Sequence, residues 1–168
     1  MRIVFALVLV LLFGQSSVFA EELTLKIFFT DSPDKLEEAL ATSVDHTPTI
    51  ETPRKIKRNQ PVHAGFAVSG FKINSEHRLC LDLDVKVIDP NGKLVLAKEP
   101  LIKDHRVISQ ENGQLILDGL LDFLIEDGDP SGIYQLGARL IDGNKSAYAL
   151  DSYKIIIDDG VSPQPETR

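Results

Sequence analysis

The chain has 168 residues, with 18 basic and 25 acidic side chains and a net charge of −7. That acidity opposes non-specific binding to nucleic acid or anionic lipid, and the length suits one domain with a proper core. Cys80 is the single cysteine, so an intramolecular disulfide is excluded.

The first twenty residues have the three parts of a secretory signal peptide. Arg2 supplies the positive start, Ile3 to Phe13 is an unbroken apolar run, and Gly14 to Ser17 break it. Val18-Phe19-Ala20 then offers a small residue before Glu21. Residues 1–20 are therefore expected to be removed after Ala20. The apolar run is about half of the ~20 residues that cross a bilayer. No later stretch approaches that length, so no transmembrane segment is expected after cleavage. No Cys follows the run, which rules out lipoprotein processing there. Cleavage removes one charge, Arg2, and leaves 17 basic against 25 acidic side chains, a net charge of −8. Small secreted animal domains lean on disulfides. An exported chain without one points to a bacterial periplasm or cell surface rather than to eukaryotic secretion. One sequon, Asn144-Lys145-Ser146, is no more than chance supplies.

The remainder alternates apolar and polar residues between turn signals. Leu23, Leu25, Ile27 and Phe29 predict a first strand. Ser32 as N-cap and Pro33 at the first helical position predict one short helix, with Leu36, Ala39 and Leu40 on one face. Residues 43–61 carry Pro48, Pro53 and Pro61 and suit extended chain rather than a central strand. Val62 to Phe71 reads as a strand. Leu79, Leu81, Leu83, Val85 and Val87 make the clearest strand, with Asp82 and Asp84 on its solvated face. Asp89-Pro90-Asn91-Gly92 is a tight turn, and Leu94 to Lys98 returns as the hairpin partner. Residues 99–113 read as a polar loop, followed by short apolar segments at 115–117 and 120–125. A turn at 126–132 leads into a strand from Ile133 to Asp142, and Gly143-Asn144 turns it into Ala147 to Ile157. Residues 161–168 have no core-forming pattern and are expected to fray. The pattern predicts an all-β, single antiparallel sandwich over residues 21–160, with one short helix after the first strand.

Asp129-Pro130-Ser131-Gly132-Ile133-Tyr134-Gln135-Leu136 resembles the approach to strand F of immunoglobulin-like sandwiches. The Asp, Gly and Tyr there form a tyrosine corner. Leu136 takes the place where a Cys is common, Asp129 lies one residue further from Tyr134 than in antibody domains, and the chain has no Trp. The Asp-Pro-x-Gly turns are also similar to those of macroglobulin-type and bacterial immunoglobulin-like domains. The resemblance implies the architecture, with Tyr134, Asp129 and Gly132 as structural residues, and carries no function.

Catalytic and metal signals are weak. His46, His63, His77 and His105 are scattered, without His-x-His, His-Glu-x-x-His or Cys-x-x-Cys spacing. Glu126, Asp127 and Asp129 crowd one loop, and Asp158-Asp159-Gly160 ends the last strand, but the spacing is not that of an EF-hand. Asp and Gly are turn formers, and Asp129 is placed to cap its turn. Cys80, read as mid-strand, has Asp82 and Asp84 as face neighbours, the wrong surroundings for a nucleophilic thiol. No Gly-x-Ser-x-Gly or phosphate loop is present. No catalytic, cofactor or metal residues are nominated.

The anomaly is Arg54-Lys55-Ile56-Lys57-Arg58, four basic residues in five within an acidic protein. Arg54, Lys55, Lys57 and Arg58 are the candidate contact for an acidic partner. The plainer alternative is a charged edge strand that blocks edge pairing. If Ile56 faces the core, Lys55 and Lys57 are the outward pair. The expected function is an exported, non-enzymatic binding or structural module of the cell envelope with a protein partner. The alternative is a periplasmic small-ligand or metal-binding protein.

Overall fold

A computed structural model describes residues 22–30, 32, 54–109 and 113–158. Nine strands are present among them: β1 Thr24–Thr30, β2 Lys55–Lys57, β3 Val62–Ser69, β4 Leu81–Ile88, β5 Leu94–Asp104, β6 Gln114–Ile116, β7 Leu121–Phe123, β8 Ile133–Asp142 and β9 Ala147–Asp158. They form two sheets. In the first, β1 pairs with one side of β3, and both β6 and β7 pair with the other. The second has the order β2-β9-β8-β4-β5. The fold is thus all-β and sandwich-like. The expected signal peptide, the helix at 33–40 and the tail at 161–168 lie outside the described residues, and no helix is found among the described ones.

Alternation dictates which face is buried. Leu25, Ile27 and Phe29 of β1 and Val62, Ala64, Phe66 and Val68 of β3 face Leu81, Leu83, Val85 and Val87 of β4 and Tyr134, Leu136, Ala138 and Leu140 of β8. Burying each large side chain of this kind contributes roughly 1.5–3 kcal/mol. Aromatic rings cross the interior. Phe29 meets Tyr153 at 5.1 Å and Phe123 at 6.2 Å, and Phe123 meets Tyr134 edge-on at 5.9 Å. The first sheet supplies Phe29 and Phe123, and the second supplies the tyrosines, so the contacts bridge the two layers.

Three polar devices close the margins. The Asp151 carboxylate of β9 accepts the Ile27 amide at 2.7 Å and draws the outer edge of β1 to the second sheet. Asp142, fully buried, accepts the amides of Lys72 at 2.8 Å, Asn144 at 2.9 Å and Lys145 at 3.2 Å. Arg106 donates to the Ile116 carbonyl at 2.9 Å and contacts the buried Asp104 carboxylate at 2.9 Å, linking the end of β5 to β6.

Three expectations need correction. The sandwich is not wholly antiparallel, because β2 runs parallel to β9 in the register Lys55↔Ile156 and Lys57↔Asp158. The return strand β5 does not stop at Lys98. It continues to Asp104 through a register shift opposite Leu83–Val85, where three residues, Glu99, Pro100 and Leu101, stand against Asp84 alone. The bulge breaks the period-two pattern that sequence reading relies on. Cys80 is not mid-strand, since β4 begins at Leu81. The Cys80 carbonyl accepts the Gly143 amide at 2.8 Å, and its sulfur packs where a Gly143 Cβ would stand.

Candidate functional site

The basic cluster divides into two parts. Ile56 is 3% exposed and points into the core, so Lys55 and Lys57 turn outward. Arg58 instead folds back on the turn before β8. Its Nη1 donates to the Glu126 carbonyl at 2.7 Å and its Nη2 to Ser131 Oγ at 2.8 Å. Arg58 is thereby a structural clamp on the turn at 126–131. The Arg54 carbonyl accepts the Ile156 amide at 2.8 Å and starts the parallel ladder, and the Arg54 side chain is exposed.

Sheet register shows what surrounds the outward lysines. Lys55 is opposite Ile156, which is opposite Ile133. These two isoleucines are 37% and 50% exposed on the solvent face of the five-stranded sheet. Lys154, also exposed, stands two residues back on the same face of β9. Two exposed apolar side chains thus share this face with Lys55, Lys57 and Lys154, and Asp158 stands opposite Lys57. The lysine spacing was visible in sequence, but the isoleucines come from β8 and β9, far along the chain, and only register brings them there.

Further along the same face lies an open groove of about 700 Å³ bounded by Asp84, Lys86, Glu99, Arg139, Leu150 and Ser152. Arg139 donates to Asp84 Oδ2 from Nε at 2.9 Å and from Nη2 at 2.6 Å. The hydrogen bond to Asp84 and that carboxylate's charge push the guanidinium pKa up, with Glu99 adding to the effect. Sequence reading placed Asp84 on the solvated face but gave no signal for Arg139.

The tyrosine-corner residues occupy one end of the sandwich. The Tyr134 hydroxyl donates to the Pro130 carbonyl at 3.1 Å. Asp129 Oδ2 accepts the Glu126 amide at 2.8 Å, capping the turn. Gly132 adopts φ +130°, and a Cβ there would press on Pro90 at 3.0 Å. Beside them is a cleft of about 260 Å³ lined mainly by apolar side chains, among them Val87, Leu96, Phe123 and Tyr134, together with Asp89, Asp122 and Asp129. Burial raises the Tyr134 pKa, and the charges of Asp129 and Asp89 raise it further against the opposing effect of Arg58.

The remaining candidates are accounted for locally. Among the described residues, no three His, Cys, Asp or Glu side chains converge in a metal-binding arrangement. His63 pairs with Asp122 at 2.8 Å and His105 with Asp82 at 3.2 Å. Neither imidazole is hydrogen-bonded to a described serine, threonine or cysteine side chain. His77 sits in a turn with φ +56°, and His46, Asp159 and Gly160 lie outside the described residues. The Asn144 side-chain amide donates to the carbonyls of Lys72 and Arg78 at 3.0 and 2.9 Å, so the sequon nitrogen is committed to the fold. No helix among the described residues is long and apolar enough to cross a membrane.

Fold and site together define a two-sheet β-domain with an exposed, partly apolar sheet face. No family model matches the chain, and no curated protein matches it. Among solved structures, the chain is similar to two superoxide reductase (neelaredoxin) chains from Ignicoccus hospitalis. One is 17% identical with a TM-score of 0.36, over 75% of this chain and 92% of that chain. The other is 17% identical with a TM-score of 0.33, over 73% and 92%. It is also similar to a family 123 glycoside hydrolase from Clostridium perfringens, at 14% identity and a TM-score of 0.39. That match covers 83% of this chain and 28% of the hydrolase. These likenesses are to β-rich folds, and none identifies an immunoglobulin-like or macroglobulin family.

Proposed function

We propose that the protein is an exported, non-enzymatic binding module of a bacterial cell envelope, built on an immunoglobulin-like sandwich. It docks an acidic protein partner through the solvent face of β2, β9 and β8. The observation that carries this reading is the row Lys55–Ile156–Ile133, in which exposed isoleucines share a face with Lys55, Lys57 and Lys154. An apolar centre with a charged rim is how protein interfaces combine burial with steering. The local positive charge stands on an acidic chain, which selects an acidic partner by contrast with the rest of the surface. The immunoglobulin-like type is supported by the Tyr134–Pro130 hydrogen bond and by Gly132 at positive φ. Export is supported by the pattern of residues 1–20.

The test is capture of partners from the envelope fraction with the exported protein, compared with Lys55→Glu/Lys57→Glu and with Ile156→Asp. Both variants should lose the same captured protein while keeping the wild-type denaturation midpoint. Capture that survives both variants and added salt would leave the lysines as a charged edge that only keeps strands of separate molecules from pairing.

A further inference from the structure

The groove beside Arg139 has features that the protein-docking strip does not use. Its lining carries three carboxylates, Asp84, Glu99 and Asp151, against two cations, Lys86 and Arg139; the Asp151 carboxylate is taken up by the Ile27 and Ser152 amides, which leaves two of each sign for a ligand. An anion site needs an excess of positive charge and a cation site an excess of negative charge. A balanced set of donors and acceptors suits hydroxyl groups, each of which both donates and accepts. Among the described residues, Lys86 Nζ, the Gln135 amide and Ser152 Oγ have no hydrogen-bond partner, so they are available to a ligand. Arg139 is half exposed, yet it is held by Asp84, which is 9% exposed. The planar guanidinium is fixed before any ligand arrives, which lowers the entropic cost of binding.

The floor and one wall add shape. Lys86, Gly137 and Ser152 lie in register across β4, β8 and β9. A Cβ on Gly137 would stand 3.3 Å from Lys86 Cε, so the Lys86 stem lies over the glycine and forms part of the groove floor. Beside that stem, Leu150 is 66% exposed opposite Arg139, and Tyr148 is 67% exposed one row further. Together they form an apolar platform beside the polar groups. A pyranose ring has this same division, with C–H groups on its faces and hydroxyls around its edge. The groove is open rather than enclosed, and small ligands need most of their surface buried. An extended chain gains contact along its length instead.

We propose that this groove binds a neutral oligosaccharide chain, with sugar faces on Leu150 and Tyr148 and hydroxyls on Arg139, Lys86, Glu99, Gln135 and Ser152. The test is native gel electrophoresis of the exported protein through gels containing hydroxyethyl cellulose, mannan, xylan or dextran, with the anionic polymer alginate alongside. At least one neutral polymer should retard the wild type, and added salt should not remove the effect. Tyr148→Ala/Leu150→Ala should weaken that retardation about tenfold or more, as expected when contact side chains are truncated. Gln135→Ala/Ser152→Ala, both at exposed positions, should weaken it without lowering the denaturation midpoint. Lys55→Glu/Lys57→Glu should leave it unchanged, which separates this site from the protein-docking strip. No retardation by any neutral polymer, retardation only by alginate and lost in salt, or retardation equal in wild type and both groove variants would each overturn the proposal.

Discussion

Tyr134 stands between two layers and a turn. It is 3% exposed, its ring meets Phe123, and its hydroxyl holds the Pro130 carbonyl. Tyr134→Phe keeps the ring contacts and deletes one hydrogen bond, which should lower stability by about 0.5–1.5 kcal/mol in a denaturant titration. The pH dependence has a definite sign. Burial and the neighbouring aspartates raise the folded-state pKa above the usual 10.0. The folded protein then holds the phenol proton above pH 10 while the unfolded chain releases it. The associated stability is present below about pH 10 and is lost as pH rises further, a loss that the Phe variant should not show. Asp142 makes a stronger case. Asp142→Ala would leave three buried-side amides without their acceptor, at about 1–3 kcal/mol for each group stranded from water. Its denaturation midpoint should fall well below that of Tyr134→Phe. At this scale the sequence was uneven. Tyr134 and Asp129 could be read from turn chemistry, because their partners Pro130 and Glu126 are within a few residues, and Gly132 from the same turn pattern. The bond of Asp142 to Lys72 and the pair of Arg139 with Asp84 could not, because those partners stand 70 and 55 residues away in the chain.

Single strands show how far periodicity carries. β8 was predicted to the residue, because Tyr134, Leu136, Ala138, Leu140 and Asp142 alternate without interruption into the core. β5 was cut short, because the bulge around Glu99-Pro100 hides its continuation. β2 was read as extended chain or, in the plainer alternative, as a charged edge strand, and it does lie at a sheet edge, but three residues carry too little pattern to specify a parallel pairing. Its two faces differ sharply in energy. Ile56→Ala removes a buried side chain and should cost about 2–5 kcal/mol. Lys55→Ala and Lys57→Ala change an exposed face and should stay within about 0.5 kcal/mol of wild type. Thermal unfolding of the three variants checks this, and equal effects would place Ile56 outside the core. The outer edge of β5 carries Lys98, Glu99 and Pro100 together with two register shifts, features that keep an edge strand from pairing with other molecules.

The whole molecule combines an acidic body with one face that departs from it. The two-layer architecture and the buried faces follow from alternation and turn residues, while the order of the strands within the sheets does not. The grouping of Lys55, Lys57, Lys154, Ile133 and Ile156 follows only from register, which no periodicity reports. Export belongs to this scale as well. N-terminal sequencing of the exported protein should begin at Glu21, because Val18-Phe19-Ala20 is the small-residue site just past the apolar run. A mature form that retains residues 3–13 would indicate an anchored protein.

The binding account is tested most directly by the association rate of the captured partner, measured against salt for the wild type and for Lys55→Glu/Lys57→Glu. Exposed charges act over about 8–10 Å at ordinary ionic strength. The wild-type rate should therefore fall steeply as salt rises, while the double variant should be slow and nearly flat, with dissociation much less affected. Superimposable rates for the two proteins at every salt concentration would contradict the account and place the contact elsewhere on the molecule.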